Sequence, residues 1–193
     1  MARRTVKFIE GSFYHVYNRG VGRQVIFLTA DNYDFVMRKV SHYSEELDTK
    51  VVASCLMPNH YHFLLHQMGA QSAGLLPQRV FNSYTKALNT SCGRTGTLFE
   101  SPFKAKMVDK DEYLGHLCWY IHMNAVSAGL AESVGEWIYS NYLECVGRRR
   151  RWCFDAGFIV DFFGSQSGYE EFIRSYDSFA KHDAKLEEYF LDE

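Results

Sequence analysis

The stretch C-L-M-P-N-H-Y-H-F-L-L-H, Cys55 to His66, decides how the rest of the chain is read. It reads as the end of one strand, a tight Pro58-Asn59 turn, and a second strand carrying two histidines. Lys50 to Met57 is a β-branched run, and two strands joined by so short a turn form an antiparallel hairpin. Successive strand side chains point to opposite faces, so His60 and His62 share one face while Tyr61, Phe63 and Leu65 share the other. Two imidazoles one pleat apart, roughly 6–7 Å along the strand, can converge on one metal ion. Histidines at this spacing also occur as ordinary surface or core residues, so the pair alone leaves both readings open.

Upstream of the hairpin, Phe13 to Arg19 alternates and is rich in aromatics, which reads as a first strand broken by Gly20 and Gly22. Asp31 to Leu47 has helical spacing in Phe35, Val36, Val40 and Tyr43, with Thr29 or Asp31 as cap. Downstream, Pro77 to Ser91 reads as a second helix, with Val80, Phe81, Tyr84 and Leu88 on its buried face. Leu98 to Asp109 reads as a strand whose Lys104 and Lys106 make one side basic. A third helix starts at Asp109 or Asp111 and runs to about Ala128, stopped by Gly129. The order strand, helix, strand, strand, helix, strand, helix predicts an α+β fold on an antiparallel sheet, resembling the ferredoxin-like split β-α-β. The helices are expected mainly on one face. Trp137 to Tyr142 reads as an aromatic-rich turn, and Arg148 to Trp152 as a basic hinge. Phe154–Phe163 and Tyr169–Phe190 read as helices of a C-terminal appendage, giving a division into residues 1–147 and 148–193.

The chain of 193 residues suits one domain of ordinary size, and its net charge of −2 excludes a broadly basic nucleic-acid coat. Charge is unevenly spread, however. Arg19 and Arg23 follow the first strand and Lys104 with Lys106 share a later one, so a local phosphate-binding groove is compatible with the net value. Aromatic content of 16% serves mainly core packing, with a few rings available for stacking on bases. The five cysteines show no C-x-x-C spacing, which points to free thiols in a reducing cytoplasm. No apolar run is long enough to span a membrane, and the first residues lack the apolar core of a secretory signal.

The third helix carries further chemistry. Leu114, Leu117, Cys118, Ile121 and Ala125 form a stripe that faces the sheet. Tyr120 and Asn124 lie on one flank of that stripe, one turn apart, where both can reach a neighbouring site. On the helix alone, Tyr120 reads equally as a boundary tyrosine with its hydroxyl in water. His116 shares the flank and reads as a surface residue; His122 points elsewhere.

Three segments taken together, M-P-N-H-Y-H-F-L-L from Met57, G-T-L-F-E-S-P-F-K from Gly96 and Y-I-H-M-N-A-V-S-A-G-L from Tyr120, resemble the REP-associated tyrosine transposases. These belong to the HUH single-tyrosine transposase superfamily. The resemblance runs from about Phe13 to Tyr142 and includes Asn18-Arg19-Gly20 and a W-x-x-S-N-Y close to the family's W-x-S-S-Y. It implies a ferredoxin-like, RRM-type palm with a helical C-terminal appendage. It also implies His60 and His62 as metal ligands with Tyr61 between them, Tyr120 as catalytic tyrosine, and Asn124 completing the metal site. Mg²⁺ or Mn²⁺ is the implied ion, and single-stranded DNA beside a hairpin is the implied substrate. Cleavage and rejoining through a 5′-phosphotyrosine is the implied reaction, in a monomer or homodimer. DNA contacts are expected at Arg19, Arg23, Lys104 and Lys106. Two departures stand out: Ala125 replaces a proline after the asparagine, and Pro102 stands where many members have arginine. The alternative is a catalytically silent, sequence-specific nucleic-acid-binding module on the same palm.

Overall fold

A computed structural model describes residues 6–150 and 155–176 of the chain. Strand β1 (Phe13–Arg19) is followed by helix α1 (Ala30–Glu46), the hairpin β2 (Thr49–Met57) and β3 (His60–Gln67), helix α2 (Leu75–Ser91), strand β4 (Lys104–Val108) and helix α3 (Asp111–Ser127). The four strands are antiparallel in the order β2-β3-β1-β4, so β1 and β3 are central. That is the expected split β-α-β arrangement. Met57 pairs with His60 across the two-residue turn, and the Pro58 carbonyl accepts from the backbone N–H of Ile26 at 2.8 Å. The turn is therefore tied to the loop after β1, which sets where β3 begins.

One sheet face, with Tyr14, Val16, Tyr61, Phe63 and Leu65, packs on Val36 and Val40 of α1 and Val80, Phe81, Tyr84 and Leu88 of α2. The other, with Ala53, Cys55, Met57 and Leu64, packs on Leu114, Leu117, Cys118, Ile121 and Ala125 of α3. The predicted α3 stripe is thus the buried one, and each large apolar side chain there stabilises the fold by about 1.5–3 kcal/mol. The expectation of helices mainly on one face needs correction, because both faces are covered. The reason is visible in β2, where only Lys50 escapes full burial. A near-continuous apolar strand is the mark of a sheet packed on both sides.

Helix α1 takes Thr29 as N-cap, and the Thr29 backbone N–H donates to Asn32 Oδ1 at 3.3 Å. Helix α3 ends as predicted at Gly129, whose φ of 69° lies in the left-handed region. Gly129 N–H donates to the Val126 carbonyl at 2.9 Å and Leu130 N–H to the Ala125 carbonyl at 2.8 Å. This paired closure needs no proline at position 125. Strand β4 is shorter than expected. Pro102 has no N–H to give to a ladder, and Phe99 instead bridges Gly20.

The aromatic segment after α3 covers the open edge of β2. Leu56 N–H donates to the Tyr139 carbonyl at 3.0 Å, Asn141 N–H to the Ser54 carbonyl at 3.1 Å, and Trp137 Nε1 to the Leu56 carbonyl at 3.0 Å. Helices α4 (Tyr142–Cys145), α5 (Ala156–Phe163) and α6 (Gln166–Ser175) follow, and Ile159, Tyr169 and Ile173 join the core of the α3 layer. Two arginines of the basic run have structural partners. Arg149 makes a bidentate pair with buried Glu144, both contacts at 2.7 Å, and Arg148 pairs with Glu170 at 2.8 Å. Trp152 and the part of the predicted last helix beyond residue 176 lie outside the described residues.

His122 holds three of these pieces together. Its Nε2–H donates to Asn141 Oδ1 at 2.9 Å, and its Nδ1 accepts from the Tyr169 hydroxyl at 2.6 Å. Burial lowers the His122 pKa from 6.5 to about 4. The unfolded chain therefore takes up this proton first as pH falls. The stabilisation is complete above about pH 6.5 and is lost progressively down to about pH 4, by roughly 3 kcal/mol at most. Denaturant titrations from just above pH 6.5 down to about pH 4 are expected to show this loss in the native chain and less of it in His122→Gln. Equal pH dependence in the two proteins would refute the assignment.

Candidate active site

The strand periodicities put seven polar side chains on the α3 face at one end of the sheet. Arg19 of β1 is opposite His60 of β3, and Tyr17 is opposite His62. His15, two residues earlier, shares their face. Lys104 and Lys106 pair with Tyr17 and His15 from β4, so the basic side of that strand points the same way. Lys104 Nζ lies 5.8 Å from the centre of the Tyr17 ring. Helix α3 then lays Tyr120 and Asn124 over the histidines. The rings of His60 and His62 stand edge-on with centroids 5.2 Å apart, and Tyr120 is edge-on to His62 at 5.3 Å.

A cleft of about 290 Å³ opens here, lined by Arg19, Arg23, Asn59, His60, Tyr120 and Asn124. His62 is fully buried beneath it. Arg23 is held at φ 60°, a left-handed conformation unusual for a side-chain-bearing residue, just after Gly22. Gly20 is packed so closely that an added Cβ would sit 2.3 Å from the Gln24 carbonyl oxygen, so this turn and its arginine are tightly placed. Lys104 and Lys106 share the face but do not line the cleft.

The hydrogen bonds set the tautomers. Asn59 Nδ2 donates to the Arg23 carbonyl at 3.3 Å, which turns Asn59 Oδ1 toward His60 Nδ1 at 2.7 Å. A neutral His60 then carries its one proton on Nδ1. Its Nε2 lone pair faces Asn124 Oδ1 at 3.4 Å, and that amide is oriented by Nδ2 donating to the Tyr120 carbonyl at 2.8 Å. Two acceptors face one another, an arrangement that a cation between them would satisfy. Burial lowers the His60 pKa, partly opposed by the Asn124 amide, while the Arg19 charge adds to the lowering. Protonation of His60 as the alternative is thereby disfavoured.

His62 behaves in the same way. Its Nδ1 lies 3.0 Å from His15 Nε2, and its buried Nε2 has no hydrogen-bond partner among the described residues. Burial drives its pKa well below 6.5, with His15 and His60 adding to the effect. A neutral His62 that donates from Nδ1 to His15 keeps a lone pair on Nε2, as in metal-bound histidines steadied by an outer hydrogen bond. The donors a cation would find are His60 Nε2, His62 Nε2 and Asn124 Oδ1. No group of three or more His, Cys, Asp or Glu suited to a metal occurs among the described residues.

All four principal candidates, His60, His62, Tyr120 and Asn124, converge. The sequence alone does not mark His15. The alternation of β1 shows its face, but only the β1–β3 register shows that this face meets His62. His116 is corrected from surface to buried, because Tyr176 covers it and its hydroxyl lies 3.0 Å from His116 Nδ1. His66, on the same strand face, pairs with Asp155 at 3.3 Å before α5 and takes no part in the site.

Comparison with solved structures finds a REP-associated tyrosine transposase bound to a REP hairpin. The TM-score is 0.62 at 17% identity, over 77% of this chain and 87% of that one. This chain has the transposase's fold. A protein of Deinococcus radiodurans R1 designated a transposase is more distant, with a TM-score of 0.40 at 14% identity, over 61% of this chain and 92% of that one. No family model and no curated protein matches the chain. No helix among the described residues is long and apolar enough to cross a membrane.

Proposed function

We propose that the chain is a transposase that cleaves and rejoins single-stranded DNA beside a hairpin, through a tyrosine–DNA intermediate that depends on a divalent metal. The observation that carries this reading is the convergence of Tyr120, His60 and Asn124 in one cleft with His62 buried directly beneath it. The shared fold with a hairpin-bound transposase supports it. His60, His62 and Asn124 would hold Mg²⁺ or Mn²⁺, with imidazole favouring Mn²⁺ of the two. When bound, the ion supplies charge that polarises the scissile phosphate and offsets the transition state.

The chain's own residues do the rest. The Tyr120 hydroxyl attacks phosphorus and releases its proton to water, a tyrosyl O–P bond forms, the P–O3′ bond breaks, and the departing 3′-oxygen takes up a proton from water. The products are a 5′-phosphotyrosine and a free 3′-hydroxyl. Attack by a 3′-hydroxyl reverses the step and joins strands, so no nucleotide triphosphate is consumed. Arg19 and Arg23 at the cleft rim would hold backbone phosphates, and Lys104 and Lys106 would extend the same charge across the face.

End-labelled hairpin oligonucleotides incubated with the protein and Mn²⁺ test this directly. Label at the 3′ end is expected to travel with the protein on a denaturing gel, and label at the 5′ end to leave on the fragment with the 3′-hydroxyl. Covalent capture of the 5′ label would overturn the polarity, and free 5′-phosphate ends without adduct would overturn tyrosine chemistry.

A further inference from the structure

A second cleft, about 590 Å³, opens at the same end of the sheet on the opposite face. The register explains the closeness of the two. Arg19 and His60 point into the first cleft, while their neighbours Asn18 and Tyr61, also a cross-strand pair, point into the second. Its floor is aromatic: Tyr61 and Phe81 stack with centroids 3.8 Å apart, and half-buried Phe99 stands edge-on to Tyr61 at 5.9 Å. One wall is the segment before β4, tied to β1 by Asn18 Nδ2 donating to the Ser101 carbonyl at 2.9 Å. The other wall is α2, where Gln78, Asn82 and Lys86 recur every fourth residue and so share a face. These three side chains are exposed and make no hydrogen bond or ion pair with the described residues.

The charge here is distinctive. No Asp or Glu occurs between Asp48 and Glu100, although the whole chain carries a net charge of −2. The cleft therefore combines an aromatic surface, two amides that can each donate and accept, and a cation in a stretch without acids. Flat rings stack on such a surface, amides read the edges of bases, and an ammonium takes a phosphate. The adjacent β1 residues Asn18 and Arg19 line the two clefts, and Arg19 pairs with Glu100 at 3.3 Å.

We infer that the second cleft holds an unpaired nucleotide of the same DNA strand whose scissile phosphate lies in the first. The base rests against Phe99 and is read by Gln78 and Asn82, and its phosphate meets Lys86. This inference rests on the strand-cleavage reading of the histidine cleft. It adds a specificity pocket for sequence flanking the hairpin, supplied by α2, which carries none of the catalytic groups.

The test measures binding and cleavage of a fluorescent hairpin oligonucleotide with single-stranded flanks, and of a series in which each flanking position in turn is abasic. Asn82 and Lys86 are exposed helix positions where alanine preserves the helix, so the double variant Asn82→Ala/Lys86→Ala is expected to fold. It should bind the intact oligonucleotide about tenfold more weakly than the native chain. One abasic position should weaken the native chain similarly and the double variant by clearly less, because both changes remove the Asn82–base contact while the abasic position alone removes the Phe99 stack and the variant alone removes the Lys86 charge. Arg38→Ala, which removes an exposed cation of α1 outside the cleft, should match the native chain. If the native chain cleaves the DNA while the double variant binds like it, or if no abasic position is coupled to the variant, the nucleotide pocket is refuted and the cleavage reading stands. If the native chain neither binds nor cleaves the hairpin DNA, both readings fall.

Discussion

Tyr120→Phe is expected to abolish the covalent protein–DNA adduct, lowering the cleavage rate by at least about 10⁴-fold, as loss of a sole nucleophile does. The substitution deletes one oxygen and keeps the ring. The edge-on contact with His62 at 5.3 Å therefore survives, and stability should change by no more than about 1 kcal/mol. Hairpin binding should persist, because the charged groups at the cleft rim are untouched. The informative control is Tyr17→Phe. Tyr17 is the other tyrosine close to His62, stacked on it with centroids 5.7 Å apart, and it shares the sheet face. It is nearly fully buried in the sheet, whereas Tyr120 lines the open cleft, so Tyr17→Phe should leave adduct formation intact. Denaturing gels with end-labelled oligonucleotides decide between them. An adduct that survives Tyr120→Phe and disappears with Tyr17→Phe would transfer the nucleophile to the strand.

What could be read from the chain alone was whatever is local. Alternation in F-Y-H-V-Y-N-R and H-Y-H-F-L-L placed His60 and His62 on one face, because the strand period is fixed by the backbone. The 3.6-residue period put Leu114 to Ala125 inward and Tyr120 with Asn124 on the flank, and Gly129 closed the helix where its positive φ is needed. Contacts set by register or by distant segments were hidden. His15 meets His62 only through the β1–β3 pairing, forty-seven residues apart in the chain. His116 and His122 are polar letters on a helix, and nothing nearby shows that Tyr176, Tyr169 and Asn141 will bury and satisfy them. Coverage of both sheet faces had a local trace in the continuous burial of V-V-A-S-C-L-M, which period-two reading passes over. The second cleft left only a negative sign, the missing acids between Asp48 and Glu100.

Removing a histidine of the pair should have an effect as large as removing the tyrosine, by a different route. His60→Ala takes away one of the three donors, and His62→Ala takes away another while leaving His15 Nε2 without its neighbour at 3.0 Å. The two variants differ in their structural cost. His60 is half-buried at the cleft, whereas His62 is fully buried and its loss leaves a cavity, so His62→Ala should cost roughly 2–4 kcal/mol of stability. Adduct formation alone cannot separate lost metal from lost structure, and metal-linked stability can. A ligand that binds only the folded chain raises its stability by about 2.7 kcal/mol when present at a hundred times its Kd. Mn²⁺ should therefore raise the thermal midpoint of the native chain and not that of either variant, while chelation by EDTA stops adduct formation in the native chain. His15→Phe should give an intermediate result, because it keeps both donors but loosens the tautomer of His62, a change that typically weakens metal binding about 10–100-fold. Equal Mn²⁺ shifts in the native chain and His60→Ala, or full cleavage in EDTA, would remove the metal from the mechanism. The facing acceptors His60 Nε2 and Asn124 Oδ1 would then need a proton on His60, which burial of the ring disfavours.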